Sequence, residues 1–487
     1  MKKNAVSTIL LCALLLASCG GGTSADTTTG GDSSADTANA YNDDLPADLD
    51  LQGQEVGISV GNYANAYFTD LYSETETGNR LDDAVYAVRK EVEERLNVKL
   101  AYTSEDFKWE GIPTYKSKII GNIMADDDSI DLVIGLSNFA GSVSDDQYFT
   151  NLADTPYIDL DKPWYIKSIT ENMPTDYIYF TAGSFALTNI KYNFGMFFND
   201  TLMKTMNINE DLYALVDEGK WTLDAMNRLI ANTYIDLNGD TAASPEDQYG
   251  LAFGGMTYAL GFMPALEVNM FVKEGNRYNF TYDNDRAVSA VQKLCEIVHE
   301  NSNVYPAKQN NDASHAAGVG GTFISKIFIE GRSVFTCDTL ANAPAILGDI
   351  KFDYGLLPYP KWDEAQKNYQ SRLQRSGYAL IPVSADIEPA SAVLEALGSA
   401  SHRRLVPEYC EVTLKTRYAQ DDNVSRMYDL ILSNIVYDPG EIFSDLIGTP
   451  SAEFYLAVFQ NDPNWASRIA SKTETLQNQM DSIVNAG

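Results

Sequence analysis

Histidine, cysteine and paired carboxylates do most of the chemistry in proteins, and this chain uses the first two sparingly. Its 487 residues include three histidines, His299, His315 and His402. None has the H-x-x-H or H-E-x-x-H spacing that puts two imidazoles on one metal. No G-x-x-x-x-G-K phosphate loop is present. The 68 acidic residues leave a glycosidase-like Asp/Glu pair open, although most such charges form a solvated face. One acidic stretch has ligand-like spacing. In "DLNGDTAASPED", Asp236, Asn238, Asp240 and Asp247 fall where a calcium loop places its first, third, fifth and last ligands. Thr241 stands where such a loop uses glycine and Asp247 is shorter than the usual Glu, so a tight Asx-rich turn competes with a structural calcium site.

Aromatic side chains at strand ends and in loops are the other candidates for contact with a ligand. They are Tyr63, Trp109, Phe139, Trp164, Tyr165, Tyr258 and Trp362. A flat ring exposed in a wet cleft stacks on the C–H face of a sugar, while carboxylates and amides bind hydroxyls. Most of the 29 tyrosines belong to the core instead.

Cys19 has a chemistry of its own. Met1-Lys2-Lys3 is a basic head, and the apolar run from Ala5 to Leu16 is shorter than the roughly 20 residues a membrane span needs. It fits the core of a secretion signal (1–18), and Leu16-Ala17-Ser18-Cys19 fits the bacterial lipobox, in which the Cys becomes a diacylated N-terminus. Two acyl chains anchor a protein stably. Residues 19–49 are rich in Gly, Ser, Thr and Asp and bury too little to fold, so a flexible tether is expected. These features place the protein on the extracytoplasmic face of the cell membrane. Cys295, Cys337 and Cys410 lack CxxC spacing and are expected as buried thiols, with a single disulfide as the alternative and neither a zinc site nor a disulfide framework indicated. A net charge of −33 argues against nucleic acid and anionic lipid surfaces.

The elements that must position these residues alternate between strand and helix. "EVGISV" (55–60), "VKLAYTS" (98–104) and "DLVIGLS" (131–137) read as strands. Between them lie helices at "LDDAVYAVRKEVEERLNV", with Val85, Val88, Val92 and Leu96 on one face, and at "YKSKIIGNIMADD". Right-handed crossovers then give a parallel α/β sheet, whose ligands meet loops at the strands' carboxyl ends. "SNFAG" (137–141) is one such loop. Further strands are expected at 193–199, 331–338, 352–360 and 377–384. Thr222 is placed to cap one later helix, and the stretch beyond Leu405 is mostly helical.

Taken in order, these segments resemble the extracellular solute-binding lipoproteins of bacterial ABC importers, the broad class that includes maltose-binding protein. The resemblance rests on the LASC lipobox and tether, "TGNRLDDAVYAVRKEVEERLNV", "DLVIGLSNFA", "YIDLDKPWY", "MFFNDTLM", "GKWTLDAMNRLIANTYIDLNGD", "SGYALIPVS" and "EVTLKTRYAQDDNVSRMYDLI". "PWY" departs from the two tryptophans relatives often show, and "FFND" from their Asn-Lys. The resemblance implies a bilobed periplasmic-binding-protein fold (type II) of two α/β sandwich lobes. Lobe 1 would hold 50–180 plus 370–400, and lobe 2 would hold 181–369 plus 401–487. It also implies that Ser137, Asn138 and Phe139 face the cleft from lobe 1, and Tyr258, Asp338, Thr339 and Asn342 from lobe 2; Tyr63 and Trp164 join them as candidate rings. The implied function is capture of a solute, a carbohydrate or oligosaccharide first, by a monomer that hands it to permease subunits, with no enzymatic activity and no cofactor. A surface-anchored glycan hydrolase and a ligand-presenting partner of a membrane sensor are the alternatives.

Overall fold

A computed structural model describes residues 42–63, 67–143, 148–173, 176–306, 312–318, 322–343, 350–373, 376–414 and 422–486. Cys19 and the signal and tether up to residue 41 lie outside the described residues. From Tyr41 onward the chain is one compact unit.

It contains two five-stranded sheets. In chain order the strands are β1 (Gln54–Tyr63), β2 (Val98–Phe107), β3 (Leu132–Leu136), β4 (Thr181–Ala182), β5 (Phe194–Asn199), β6 (Tyr249–Phe253), β7 (Val304–Tyr305), β8 (Ser333–Thr339), β9 (Tyr354–Leu357) and β10 (Gly377–Leu380). The first sheet runs β2-β1-β3-β10-β4 and the second β9-β5-β8-β6-β7. β1 pairs parallel with β2 and β3, as the crossovers require, whereas β10 returns antiparallel to β3 with Gly377 opposite Leu136.

Local sequence accounts for these elements. Helix α1 (Arg80–Leu96) starts where the Asn79 side chain accepts from the Leu81 and Asp82 amides, and Asp82 and Asp83 favour the positive end of its dipole. It stops at Asn97, a left-handed residue with φ 47°. Its buried residues are Val85, Val88, Val92 and Leu96, the expected face. Helix α2 (Ile112–Met124) buries Ile112, Tyr115, Ile119 and Ile123 in the same way. Thr222 caps the helix Leu223–Leu229 through the Ala225 amide at 3.2 Å.

The chain crosses between sheets at 183–193 and again at 358–376. The first crossing holds the short helix Thr188–Lys191, clamped to lobe 1 because Asp70 accepts from Thr188 Oγ1 at 2.7 Å and from Lys191 Nζ at 2.6 Å. Two expected boundaries shift. Thr181 and Ala182 pair with Ala379 and Tyr378, so they belong to the first sheet. The helix Ile387–Leu414 runs unbroken past 401, packing on α1 while Tyr409 near its end donates to the Leu340 carbonyl of lobe 2 at 2.8 Å. A helix carries no signal where it changes neighbour. No disulfide joins Cys295, Cys337 and Cys410. Among the described residues no helix is long and apolar enough to cross a membrane.

Candidate functional site: a cavity between the lobes

The carboxyl end of β3 leads directly into helix α3 (Ser137–Ser142). The sequence suggested a cleft loop here. The helix instead packs against the short helix Pro439–Ile442. A Cβ on Gly141 would stand 1.9 Å from the Ile442 carbonyl oxygen, so only glycine permits this approach. On the other side the Pro439–Ile442 turn touches lobe 2. The Asp438 carboxylate that caps it accepts from Gly440 N at 2.7 Å and from Met270 N at 2.5 Å. The hairpin Phe271–Glu274/Arg277–Phe280 also reaches lobe 1, where Lys273 Nζ donates to Met173 O at 3.0 Å and Tyr278 donates to Asn172 O at 3.1 Å. The lobes are therefore in direct contact around the cleft.

Between these contacts lies a cavity of about 210 Å³. Lobe 2 contributes Met263, Pro264, Val268 and Asn269; the second crossing contributes Arg372 and Ser376; lobe 1 contributes Tyr378, and the C-terminal segment contributes Tyr437, Asp438 and Glu441. Arg372 Nη2 meets Glu441 Oε2 at 2.5 Å. Ser376 Oγ and the Tyr437 hydroxyl are 2.6 Å apart, and the Tyr378 ring stacks on Phe180 with centroids 4.8 Å apart. Burial pushes the Asp438 carboxyl up to about 7 against the backbone N–H groups that hold its charge.

A second cavity of about 660 Å³ is larger. Its walls are the loop around Trp164, both crossings, and helix residues such as His402 and Asp429. The first cavity is the stronger candidate despite its size. Its walls include the loop after β6 and the start of β10, one from each lobe, so a ligand there bears directly on closure.

None of the residues singled out from sequence lines the first cavity. Phe139 is a correction: it is fully buried in lobe 1, its ring 5.4 Å from Tyr115 and 6.2 Å from Phe149. The backbone of Ser137 and Asn138 forms the first turn of α3, and their side chains lie outside what is described. Tyr63, at the carboxyl end of β1, is half-buried with its ring 6.2 Å from Phe107. Trp164 is buried and lines the second cavity. Tyr165 is also buried and donates to Glu395 Oε2 at 2.8 Å. Trp362 is half-buried between Arg286 and Lys293, whose charged ends lie 5.1 and 5.2 Å from its ring centroid.

The lobe 2 residues do come together, but in the interior. Asp338 Oδ1 accepts from Asn342 Nδ2 and from the Thr339 amide, each at 2.7 Å. Asn342 Oδ1 accepts from Thr322 at 2.9 Å. The Tyr258 hydroxyl donates to Phe323 O at 2.8 Å. All four expected residues, Tyr258, Asp338, Thr339 and Asn342, are buried, which corrects their reading as cleft surface. Tyr258 packs on Phe194 at 5.8 Å, and Phe194 lies under the Arg372 guanidinium at 6.0 Å. The cluster thus stands one layer behind the cavity wall.

In the 236–247 stretch Asn238 Nδ2 donates to Asp240 Oδ2 at 3.1 Å. Asp236 accepts from the Gly239 and Thr241 amides, and Asp240 from Ala242. Asp247 is buried and accepts from Leu237 N and Ser244 N. Among the described residues no group of three His, Cys, Asp or Glu side chains could hold a metal ion. Residues 57–61, Gly-Ile-Ser-Val-Gly, have the G-x-S-x-G spacing of a nucleophile elbow, yet they run straight through β1. Ser59 is buried with its hydroxyl 3.1 Å from that of Tyr115, so the spacing carries no strand-to-helix turn and no exposed nucleophile.

The cavity residues had little sequence signal. Arg372 and Tyr378 lie six positions apart but Glu441 is 69 positions from Arg372, and only "SGYALIPVS", which holds Tyr378 at the return into lobe 1, pointed near them.

The chain has the bilobed fold of the solute-binding proteins of ABC transporters. Three solved structures of this fold superpose over nearly the whole chain. M. tuberculosis UspC is 12% identical, covers 89% of this chain and 100% of its own, and gives a TM-score of 0.52. An ABC substrate-binding protein from Listeria monocytogenes, solved with cycloalternan, is 12% identical, covers 88% and 98%, and gives 0.51. The cyclic alpha-maltosyl-1,6-maltose binding protein from Arthrobacter globiformis is 14% identical, covers 89% and 99%, and gives 0.51. A family model described as the N-terminal domain of the ribulose bisphosphate carboxylase large chain matches residues 59–132. That span starts inside β1 and ends on the first residue of β3, so it cuts through paired strands of one sheet and is no complete unit. No curated protein matches the chain.

Proposed function

We propose that this protein is a lipid-anchored, extracytoplasmic solute-binding protein that captures a carbohydrate between its lobes and delivers it to the permease of an ABC transporter. The observation that carries the reading is the interlobe cavity, walled by both lobes, the second crossing and the C-terminal segment. A ligand seated there favours the closed arrangement through contacts that the open one lacks. Cycloalternan and the cyclic maltosyl-maltose named for two proteins of the same fold support a sugar. Tyr437 supplies a ring with a polar tip in the wall.

Hydrolysis finds less support. Asp438 engages both carboxylate oxygens with backbone N–H groups, and Glu441 is held by Arg372, so neither is placed as a proton donor poised over a glycosidic bond. Glycan-array screening and calorimetry on the purified chain test the proposal, together with an assay for new reducing ends. Sugar binding without turnover is expected. Binding of an amino acid or peptide and of no sugar would overturn the substrate class, and turnover would overturn the transport reading.

A further inference from the structure

Most polar side chains in the wall of the cavity between the lobes are held by the protein itself. Arg372 Nη2 is paired with Glu441 Oε2, and the atoms this pair leaves over, Arg372 Nη1 and Glu441 Oε1, are shut off from solvent. The Asp438 oxygens accept from Gly440 N and from Met270 N. Ser376 and Tyr437 bond to each other, and the Tyr378 hydroxyl is shut off from solvent as well. These side chains build the wall, and their hydrogen bonds are made within it.

The polar side chains of the wall that remain are Asn269, Ser444, Thr449 and Ser451. None of them has a side-chain hydrogen-bond partner among the described residues, and none has its polar atoms shut off from solvent. Ser444 and Ser451 are only 6% and 7% exposed, and a hydroxyl buried to that degree normally finds a partner. Ser451 precedes the helix Ala452–Gln460, where a serine ordinarily caps, yet its hydroxyl makes no cap bond. Thr449 N donates to the Ser444 carbonyl at 2.6 Å and so ties the two into one loop. Thr449 itself has φ 54°, a left-handed backbone that a β-branched residue rarely adopts and glycine holds without strain. Strain of this kind clusters where a side chain serves a ligand. Asn269 comes from lobe 2, beside Met270, whose amide Asp438 holds.

All of these groups are uncharged. A hydroxyl donates and accepts, and an amide presents both kinds of atom, so together they match the hydroxyls of a sugar. An ionised ligand would leave water without gaining a counter-charge from them. We infer that Asn269 of lobe 2 and the hydroxyls of Ser444, Thr449 and Ser451 on one C-terminal loop are the groups that contact the solute, selecting an uncharged, polyhydroxylated molecule. The inference rests on the solute-binding reading above and names its contact residues.

Calorimetry on the full chain with glucose, galactose, mannose, maltose and maltotriose tests it, with glucuronic acid and glucosamine as charged counterparts and melting temperature read on the same variants. At least one neutral sugar should bind, about tenfold or more tighter than either charged counterpart. Asn269→Ala, Ser444→Ala and Ser451→Ala should each weaken that sugar by about 3- to 10-fold, and the double serine variant by about 10- to 100-fold. Melting temperatures should stay within about 2 °C of the parent, because no hydrogen bond within the protein is lost. Thr449→Gly removes the hydroxyl and the strain together, so affinity should fall while the melting temperature holds. Parental affinity in Asn269→Ala and in the double serine variant would overturn the contact set while leaving sugar capture intact. A melting temperature that falls in step with affinity would assign these side chains to the fold instead. Tighter binding of glucuronic acid or glucosamine than of any neutral sugar would overturn the selection for an uncharged solute. Binding of none of these probes would overturn the inference together with the reading beneath it.

Discussion

Single residues take their roles here from what surrounds them. Phe139 is an aromatic beside a strand end, and nothing in its sequence context says that Tyr115 and Phe149 close over it. Truncation to Ala should cost about 3–5 kcal/mol of stability, as for other buried phenylalanines. Urea melts check this, and ligand affinity of the folded fraction should stay within about twofold of the parent, because the ring does not line the cavity. Asp338 makes a pH prediction. Burial raises its carboxyl to about 7 even though Asn342 and Thr339 donate to the ionised form. A carboxyl that holds its proton more tightly when folded adds stability below its unfolded pKa, near 3.8, and loses that contribution as pH rises through about 7. Asp338→Asn keeps the shape without the titration. Its melting temperature should gain on that of the parent between pH 5 and 8, by about 2–4 °C for each kcal/mol of linkage. A constant offset across that range would mean that Asp338 does not titrate there.

At the level of elements, helix α3 packs directly on the Pro439–Ile442 turn beside the cavity. Their contact depends on a missing Cβ at position 141. Gly141→Ala forces backbone apart, and overpacking of this kind costs about 1–3 kcal/mol. If the contact belongs to the closed arrangement, ligand affinity should fall by about 5- to 150-fold while circular dichroism stays parental. An affinity equal to the parent's would show that the two elements do not meet in the ligand-bound protein. Elements were the most legible part of the chain. The Val85-Val88-Val92-Leu96 spacing, the Thr222 cap and the β1–β3 alternation are local patterns, and local patterns survive folding unchanged. The expected loop at 137–141 is helical, because packing sets where an element begins and ends.

For the whole molecule, two predictions concern location and closure. Cys19→Ala removes the acylation site, so the protein should appear unprocessed or in the soluble fraction; membrane-held, lipid-labelled variant would refute the anchor. Solution scattering should show a smaller radius of gyration with a bound sugar than without, and identical values would argue against closure on ligand.

The sequence by itself determined the order of strands and helices along the chain, the strand-helix-strand crossovers that open the first sheet and the cap of the helix Leu223–Leu229. All of these depend on residues a few positions apart. The tertiary structure alone decided which side chains face the cavity. Arg372 and Glu441 are 69 positions apart and meet at 2.5 Å, and Tyr378 joins them only because β10 returns antiparallel beside β3. The same folding drew Tyr258, Asp338 and Asn342 inward, one layer behind the wall. A binding wall is assembled from strand ends and crossings brought together by sheet order, and sheet order is a long-range property that local spacing does not encode.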